Sequence, residues 1–209
     1  VALDPARFIG FATVDPNRPD ALDILRHAFG TLKLRGLKLH PAKQQFYPND
    51  PKLFPIYELC LSYNVPVTFH CGMSWQPNTF LKYSHPELFE EVAVRYPQLR
   101  INLAHFGFPW VLETAAIILK YPNVYADTAC CYMDCPEQFF EQLFFKLMGP
   151  LWVEHNLADK ILFGSNNPRF RPARIKRGLE YQPFSKETMA KILGENAVRF
   201  LGLEVNGNG

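Results

Sequence analysis

The sequence lacks the features that mark membrane proteins and proteins that bind polyanions. No apolar run approaches the roughly 20 residues needed to cross a bilayer, and the first residues show no charged-then-apolar signal pattern. The 22 Lys and Arg are interspersed with 20 Asp and Glu, so the formal charge of +2 comes without a long run of one sign. These absences argue against membrane and nucleic-acid partners. They predict a soluble, cytoplasmic protein that binds a small molecule.

Cysteine is scarce, and its number, five, is odd. Cys60 and Cys71 fall within apolar stretches, where a reduced thiol packs as a small hydrophobic side chain. The cysteine-rich run 130–135 lacks the two separated ligand pairs of a structural zinc site. The pattern therefore favours a reducing compartment over a disulfide-bonded or zinc-finger fold.

With 48% hydrophobic residues, the 209-residue chain predicts one domain over residues 1–209, with 205–209 as a flexible tail. Short apolar runs alternate with amphipathic stretches, which is how parallel βα units read. The predicted strands are Phe8–Val14, Gly36–Leu39, Val65–Phe69, Arg100–Ala104, Val124–Ala126 and Ile161–Gly164.

Helix ends are also marked. Asp50 before Pro51 predicts a capped start, and Ser185 predicts the start of a last helix that ends at Gly202. The polar and basic stretch Arg169–Pro183 predicts a long surface loop.

The residues that close the predicted strands are unusually rich in histidine and carboxylate. They are Asp15, His40, His70, His105, Asp127 and Asn166. In parallel α/β folds the functional face lies at the carboxyl ends of the strands. Histidine and carboxylate side chains bind catalytic divalent ions and transfer protons near neutral pH. His40 has an equally good interpretation as a strand cap. Asp15 and Asp127 are more often helix-capping or turn acids than catalytic residues, so we expect them to be structural unless the barrel brings them inward.

Seven short motifs then occur in a recognisable order. They are RFIGFATVDP (7–16), GLKLHP (36–41), FHCG (69–72), AHFG (104–107), NVYAD (123–127), ILFGSNNP (161–168) and ENAVRFLG (195–202). Together they resemble the amidohydrolase-related family, in the branch of carboxymuconate-semialdehyde decarboxylase-like enzymes. The resemblance covers nearly the whole chain.

The resemblance implies an α/β fold of the TIM-barrel (β/α)₈ type with one divalent metal, zinc first and manganese second. His70 would be the fifth-strand metal ligand, and His105 the sixth-strand histidine that orients or protonates the reacting group. Asn166 occupies the eighth-strand position, where the family has an aspartate that serves as metal ligand and base. His40 and Arg169 are expected to bind the substrate. Relatives often self-associate, but no feature of this sequence locates an interface.

Two departures bear on activity. First, the sequence begins at what would be the third strand and contains no H-x-H motif. Six strands do not easily close a barrel built for eight, so we expect a fragment, a barrel completed by a partner or a swapped segment, or an opened and modified fold. The neutral amide of Asn166 is no base and holds a cation less strongly than a carboxylate, whether the substitution is natural or introduced.

The first expectation is a metal-dependent hydrolase of a small carbonyl or carboxylated substrate, impaired in this chain. The alternatives are a metal-dependent non-oxidative decarboxylase and a non-catalytic binding or scaffold barrel.

Overall fold

The protein, described here by a computed structural model, is built around one parallel β-sheet. The structure describes residues 4–129, 132, 135–149 and 151–203. The strands of that sheet are β1 Leu37–Leu39, β2 Val67–His70, β3 Ile101–Ala104, β4 Val124–Asp127 and β5 Ile161–Leu162. They pair as neighbours in chain order, and each pair is parallel. This order is that of successive βα units in a barrel and confirms the predicted fold class.

Helical segments separate the strands. The α-helices are α1 Ala21–Gly30, α2 Pro41–Gln44, α3 Phe54–Ser62, α4 Glu90–Arg95, α5 Val111–Lys120, α6 Pro136–Phe140, α7 Pro172–Glu180, α8 Lys186–Ala190 and α9 Asn196–Leu201. Short 3₁₀ segments lie at Pro51–Leu53, Leu81–Tyr83, Pro86–Phe89 and His105–Gly107, and π-helical segments at Glu141–Lys146, Val153–Leu157 and Lys191–Glu195. No helix of the described ranges combines the length and apolar composition needed to span a bilayer.

The two faces of the sheet differ in chemistry. Leucine, valine, phenylalanine and isoleucine side chains of β1, β2 and β3 point to one face and are fully buried in the core. On the other face, Lys38, Thr68 and Asn102 lie side by side in register across the same three strands. Because side chains alternate along a strand, the residue two positions further on returns to the same face. His40 and His70 are therefore carried toward the polar face, at its carboxyl end.

The first predicted strand, Phe8–Val14, was wrong in extent. It contributes one isolated parallel bridge, from Ala12 to Leu37. Phe8 and Ile9 are 55% and 40% exposed, so the start of this apolar run packs against too little to continue the pairing.

The predicted loop Arg169–Pro183 was also wrong, because it contains the helix α7. Pro172 lies at its first turn, where a missing N–H costs nothing. Ile175 and Leu179, four residues apart, are fully buried on one side of the helix. The surrounding arginines and lysines hid this narrow apolar stripe in the sequence.

The predicted helix ends are confirmed. The Asp50 carboxylate accepts a hydrogen bond from the Lys52 N–H at 3.0 Å, and the Ser185 hydroxyl accepts one from the Thr188 N–H at 3.1 Å. Gly202 ends the last helix in the left-handed conformation, with φ of 62°. Most of the cysteine-rich run and the predicted tail 205–209 lie outside the described residues.

Gly72, just beyond β2, provides a test of how tightly the chain packs behind the strand ends. Its φ is +80°, and a Cβ there would lie 2.1 Å from the backbone oxygen of Phe108. We expect Gly72→Ala to lower the free energy of unfolding by about 2–4 kcal/mol, measured by urea unfolding. Gly194→Ala is the matched control, because nothing lies within 4 Å of the added carbon. It should be neutral or stabilising by up to about 1 kcal/mol. Equal stability of the two variants would contradict this packing.

Candidate active site

The carboxyl ends of four neighbouring strands surround a cavity of about 250 Å³. His70 and Asp127 are the last residues of β2 and β4, while His40 and His105 directly follow β1 and β3. Parallel strands end at one edge of a sheet, so residues far apart in sequence meet there. All the predicted site residues line this cavity: His40, His70, His105, Asn166 and Arg169.

His70 and His105 form a hydrogen-bonded pair whose proton positions follow from their contacts. His105 Nδ1 lies 2.6 Å from the carbonyl oxygen of Ala129, which can only accept, so Nδ1 carries the proton. In a neutral ring Nε2 is then an acceptor, and it lies 3.1 Å from His70 Nδ1, which donates to it. His70 therefore keeps an unprotonated Nε2, which is buried and has no hydrogen-bond partner among the described residues.

The surroundings favour the neutral form of both rings. Burial is the main cause that lowers the pKa of His70, helped by the positive charge that His105, His40 and Lys38 can carry. Burial also lowers the pKa of His105, against the opposing attraction of Asp127. Both imidazoles are therefore neutral near pH 7, as the tautomers above require.

His40 fits both of the interpretations that its sequence allowed. Its Nδ1 accepts a hydrogen bond from the Lys43 N–H at 3.2 Å and so caps α2. Its ring also stacks on that of His70, with centroids 3.8 Å apart and planes at 11°. Burial lowers the pKa of His40 to about 4, so this ring too is neutral near pH 7.

Asp127, which the sequence left as a turn acid, holds the turn that carries His105. Its Oδ1 accepts hydrogen bonds from the backbone N–H groups of His105 at 2.8 Å and Ala129 at 3.0 Å. Its Oδ2 accepts one from Asn102 Nδ2 at 2.7 Å. Both carboxylate oxygens are thus used to position neighbours. Asp15, by contrast, is a turn acid as expected, because it accepts from the Asn17 N–H at 3.0 Å.

Lys38 lines the cavity and was missed by sequence reasoning. The signal was present, because Lys38 is a charged residue inside the apolar run of β1 and lies two residues before His40, on the same face. Burial lowers the pKa of Lys38 to about 8, against the attraction of Asp127. Its ammonium group is therefore largely protonated at neutral pH.

Aromatic side chains and one arginine form the exposed rim of the cavity. The Arg169 guanidinium carbon lies 4.3 Å from the centroid of the Trp75 ring, which is 49% exposed. Tyr132 lies 5.8 Å from Trp75 between ring centroids and stacks on Phe108. Sequence reasoning missed Trp75 and Tyr132, since lone aromatic residues in loops carry no pattern. Arg171, which precedes α7, and Arg174 within α7 do not line the cavity.

The cavity offers few donor atoms for the divalent metal that the resemblance implies. The buried, unpartnered Nε2 of His70 fits one ligand position. The amide oxygen of Asn166, on the same cavity, is a weak neutral donor. Within the described ranges no group of three His, Cys, Asp or Glu residues is arranged to hold a metal ion. These residues therefore supply part of a ligand set and do not enclose a cation on their own.

Residues 1–203 match the family model described as "Amidohydrolase". The chain belongs to the amidohydrolase family. The resemblance seen in the sequence is thus confirmed.

Proteins similar to this chain include decarboxylases. The chain is similar to 2-amino-3-carboxymuconate-6-semialdehyde decarboxylase of Dictyostelium discoideum, with 26% identity over 242 aligned positions covering 99% of this chain and 64% of the relative. An uncharacterised TIM-barrel protein from Bordetella bronchiseptica matches with a TM-score of 0.74 and 25% identity, over 93% of this chain and 64% of that protein. The present chain thus spans slightly under two thirds of each.

A third similar protein is a dihydroxybenzoic acid decarboxylase from a Polaromonas species, solved with bound manganese and the inhibitor 2-nitroresorcinol. It matches with a TM-score of 0.69 and 18% identity, over 97% of this chain and 71% of that one. At 18% identity the similarity shows a shared fold only. That protein of similar fold binds a divalent metal ion, manganese.

The neutral histidines predict how stability depends on pH. The pKa of His40 is lowered to about 4, and the pKa values of His70 and His105 are lowered too, whereas unfolded histidine titrates near about 6.5. As the pH falls below about 6.5, the unfolded chain binds protons that the folded chain does not, so the free energy of unfolding should fall.

Urea unfolding at pH 7.5, 6.0 and 5.0 measures this effect, over a range in which most carboxylates stay ionised. His40→Asn, which keeps a capping oxygen, should reduce the slope, whereas the same substitution at exposed His155 should reduce it less. A free energy of unfolding that stays constant from pH 7.5 to 5.0 would show that the pKa values of His40, His70 and His105 are not lowered in the folded chain.

Proposed function

We propose that this chain carries the substrate cavity of a non-oxidative decarboxylase that acts on a small carboxylated compound with a planar ring. The composition of the cavity wall is the main support, because His70, whose Nε2 is unprotonated, and Arg169 line the same cavity. A guanidinium binds a carboxylate through paired hydrogen bonds, and an imidazole transfers protons near neutral pH. The decarboxylases among the relatives support the same class of reaction.

The rim supports a planar substrate. The Arg169 guanidinium lies over the indole ring of Trp75, and a guanidinium packed on an aromatic face can still donate its N–H groups to a carboxylate. Trp75 and Tyr132 add aromatic surface on which a ring can stack. The cavity volume of about 250 Å³ suits a single small ring rather than a polymer.

Decarboxylation breaks the bond to the carboxylate carbon, leaves the electron pair on the substrate carbon and releases carbon dioxide. One proton must then reach that carbon. We assign the proton transfer to His70 Nε2, which can accept a proton from a substrate hydroxyl and deliver it. His105 acts through His70. Its Nε2 accepts a hydrogen bond from His70 Nδ1–H, and this bond fixes the tautomer of His70. His105 is therefore a positioning residue in this proposal, although the resemblance alone would place it at the reacting group.

Hydrolysis, the first expectation from the sequence, is less well supported. It needs a water molecule activated by a base, and the position where the family has a carboxylate is occupied here by the neutral Asn166. Decarboxylation consumes no water as nucleophile, so the loss of that base harms it less. The relatives described above that have a named activity are also decarboxylases.

The reaction is tested by release of carbon dioxide from a panel of hydroxybenzoates and unsaturated dicarboxylates. We expect His70→Asn, which removes Nε2, to lower kcat/KM by about 10²-fold or more. His155→Asn is the matched control, because His155 is exposed and outside the cavity, and it should leave kcat/KM unchanged. Release by the unchanged chain that is insensitive to His70→Asn would refute the role of His70. Binding of these acids without any release would instead favour the non-catalytic binding alternative.

The cofactor proposal concerns position 166. We propose that any divalent ion bound here is held through His70 Nε2 and residue 166, with manganese as the first ion to test and zinc as the second. Because such an ion would occupy the lone pair of Nε2, the proton transfer assigned to His70 belongs to the chain without the ion, and the two roles exclude each other. A carboxylate adds charge to the ligand set, so Asn166→Asp should raise the affinity for manganese at least about tenfold.

Elemental analysis after dialysis against manganese or zinc measures the uptake. Asn167→Asp adds the same charge at the adjacent exposed residue, which does not line the cavity, and should leave uptake unchanged. Equal uptake by both aspartate variants would show that position 166 is not a ligand.

A further inference from the structure

Lys38 has no role in the mechanism proposed above, although its position suggests one. It lies in the middle of β1, half-buried, with Leu37 and Leu39 packed into the core on either side. Its side chain belongs to the polar face of the sheet and lines the same cavity as His70 and Arg169. A lysine at such a place costs free energy of desolvation unless its charge is balanced.

The charge of Lys38 is not balanced by a direct partner. Within the part of the chain that the structure describes, the Lys38 ammonium forms no hydrogen bond or ion pair that balances it. Asp127 is the acid whose charge acts on it, but both oxygens of that carboxylate already accept hydrogen bonds from His105, Ala129 and Asn102. The negative charge of Asp127 therefore acts on the Lys38 ammonium without a direct ion pair, and the ammonium keeps its hydrogen-bonding positions for a ligand.

We propose that Lys38 binds a second anionic group of the substrate at the inner end of the cavity, while Arg169 binds the first at the rim. This rests on the proposed function and narrows its substrate class to planar compounds with two negative groups, such as two carboxylates. The two cations differ in depth, since Lys38 is half-buried in the sheet and Arg169 is exposed on a loop. A ring that spans them would stack beside Trp75 with one anion at each end.

The neighbouring residues support this assignment. The histidines that line the cavity are neutral near pH 7, so they neither repel Lys38 strongly nor compete with it for an anion. Burial lowers the pKa of Lys38 to about 8, because an ammonium group removed from water loses free energy of hydration. An anion bound beside it would remove that cost. Asn166, which also lines the cavity, is neutral and adds no competing carboxylate.

The experiment compares the binding of benzoate with that of the three benzenedicarboxylates, which differ only in the separation of their carboxylates. Calorimetric titration of the whole chain needs no turnover, so it is independent of carbon dioxide release. We expect at least one dicarboxylate to bind about tenfold more tightly than benzoate. Lys38→Met, which keeps an unbranched side chain one atom shorter and removes the charge, should abolish this preference, and Lys38→Arg should retain most of it.

Lys43→Met is the matched control, because Lys43 is exposed on α2 and lies outside this cavity. It makes the same change in net charge and should leave the preference for the dicarboxylate unchanged. Thermal unfolding without ligand checks that each variant is folded, and Lys38→Gln repeats the measurement if the methionine variant is not.

The proposal is overturned if the unchanged chain binds no dicarboxylate more tightly than benzoate, or if Lys38→Met keeps the preference. It is equally overturned if Lys43→Met loses as much affinity as Lys38→Met, since the effect would then be one of overall charge. A preference that depends on Lys38, found in a chain that releases no carbon dioxide, would uphold the binding site and reject only the proposed reaction.

Discussion

The carboxylate of Asp127 holds together the turn on which the candidate site depends. Its Oδ1 accepts from the backbone N–H of both His105 and Ala129, and the Ala129 carbonyl in turn accepts the His105 ring proton. His105 has a φ of 65°, a conformation that costs a non-glycine residue about 1–3 kcal/mol and persists only where surrounding contacts impose it. A single buried carboxylate thereby fixes the backbone of His105, the direction of its ring and its tautomer.

The consequences extend to the next strand. With His105 Nδ1 committed to a carbonyl, its Nε2 can only accept from His70, and His70 can only present an unprotonated Nε2. That atom is the same whether it transfers a proton or binds a cation. Stacking of His40 on the other side of the His70 ring limits how that ring can turn. Nε2 of His70 is thus positioned by residues on three other segments of the chain, which is how a fold preorganises a site.

The sequence predicted the parts of this arrangement that follow from strand periodicity. His40, His70 and His105 were found because each closes an apolar run, and the parallel order brings such ends together. The bonding of Asp127 could not be predicted, because hydrogen bonds across strands depend on register, which local pattern does not fix. The helix α7 was missed because the two buried residues of its stripe are outnumbered by surface charges. The aromatic rim comes from loops, whose course is set by tertiary packing.

The charge of the cavity is set by residues other than its histidines. Because its three imidazoles are neutral, the charged groups that line it are Lys38, Arg169 and Asp127, and the oxygens of Asp127 accept hydrogen bonds from neutral N–H groups rather than from either cation. An aspartate at position 166 would help hold a cation, but in the absence of that cation it would compete with a bound carboxylate for Arg169, three residues further on. Asparagine has the opposite effects, since it weakens cation binding and leaves both positive groups open to an anionic ligand. An asparagine at this position would therefore weaken the binding of a cation and favour the binding of acids, so the two properties need separate measurements in this chain.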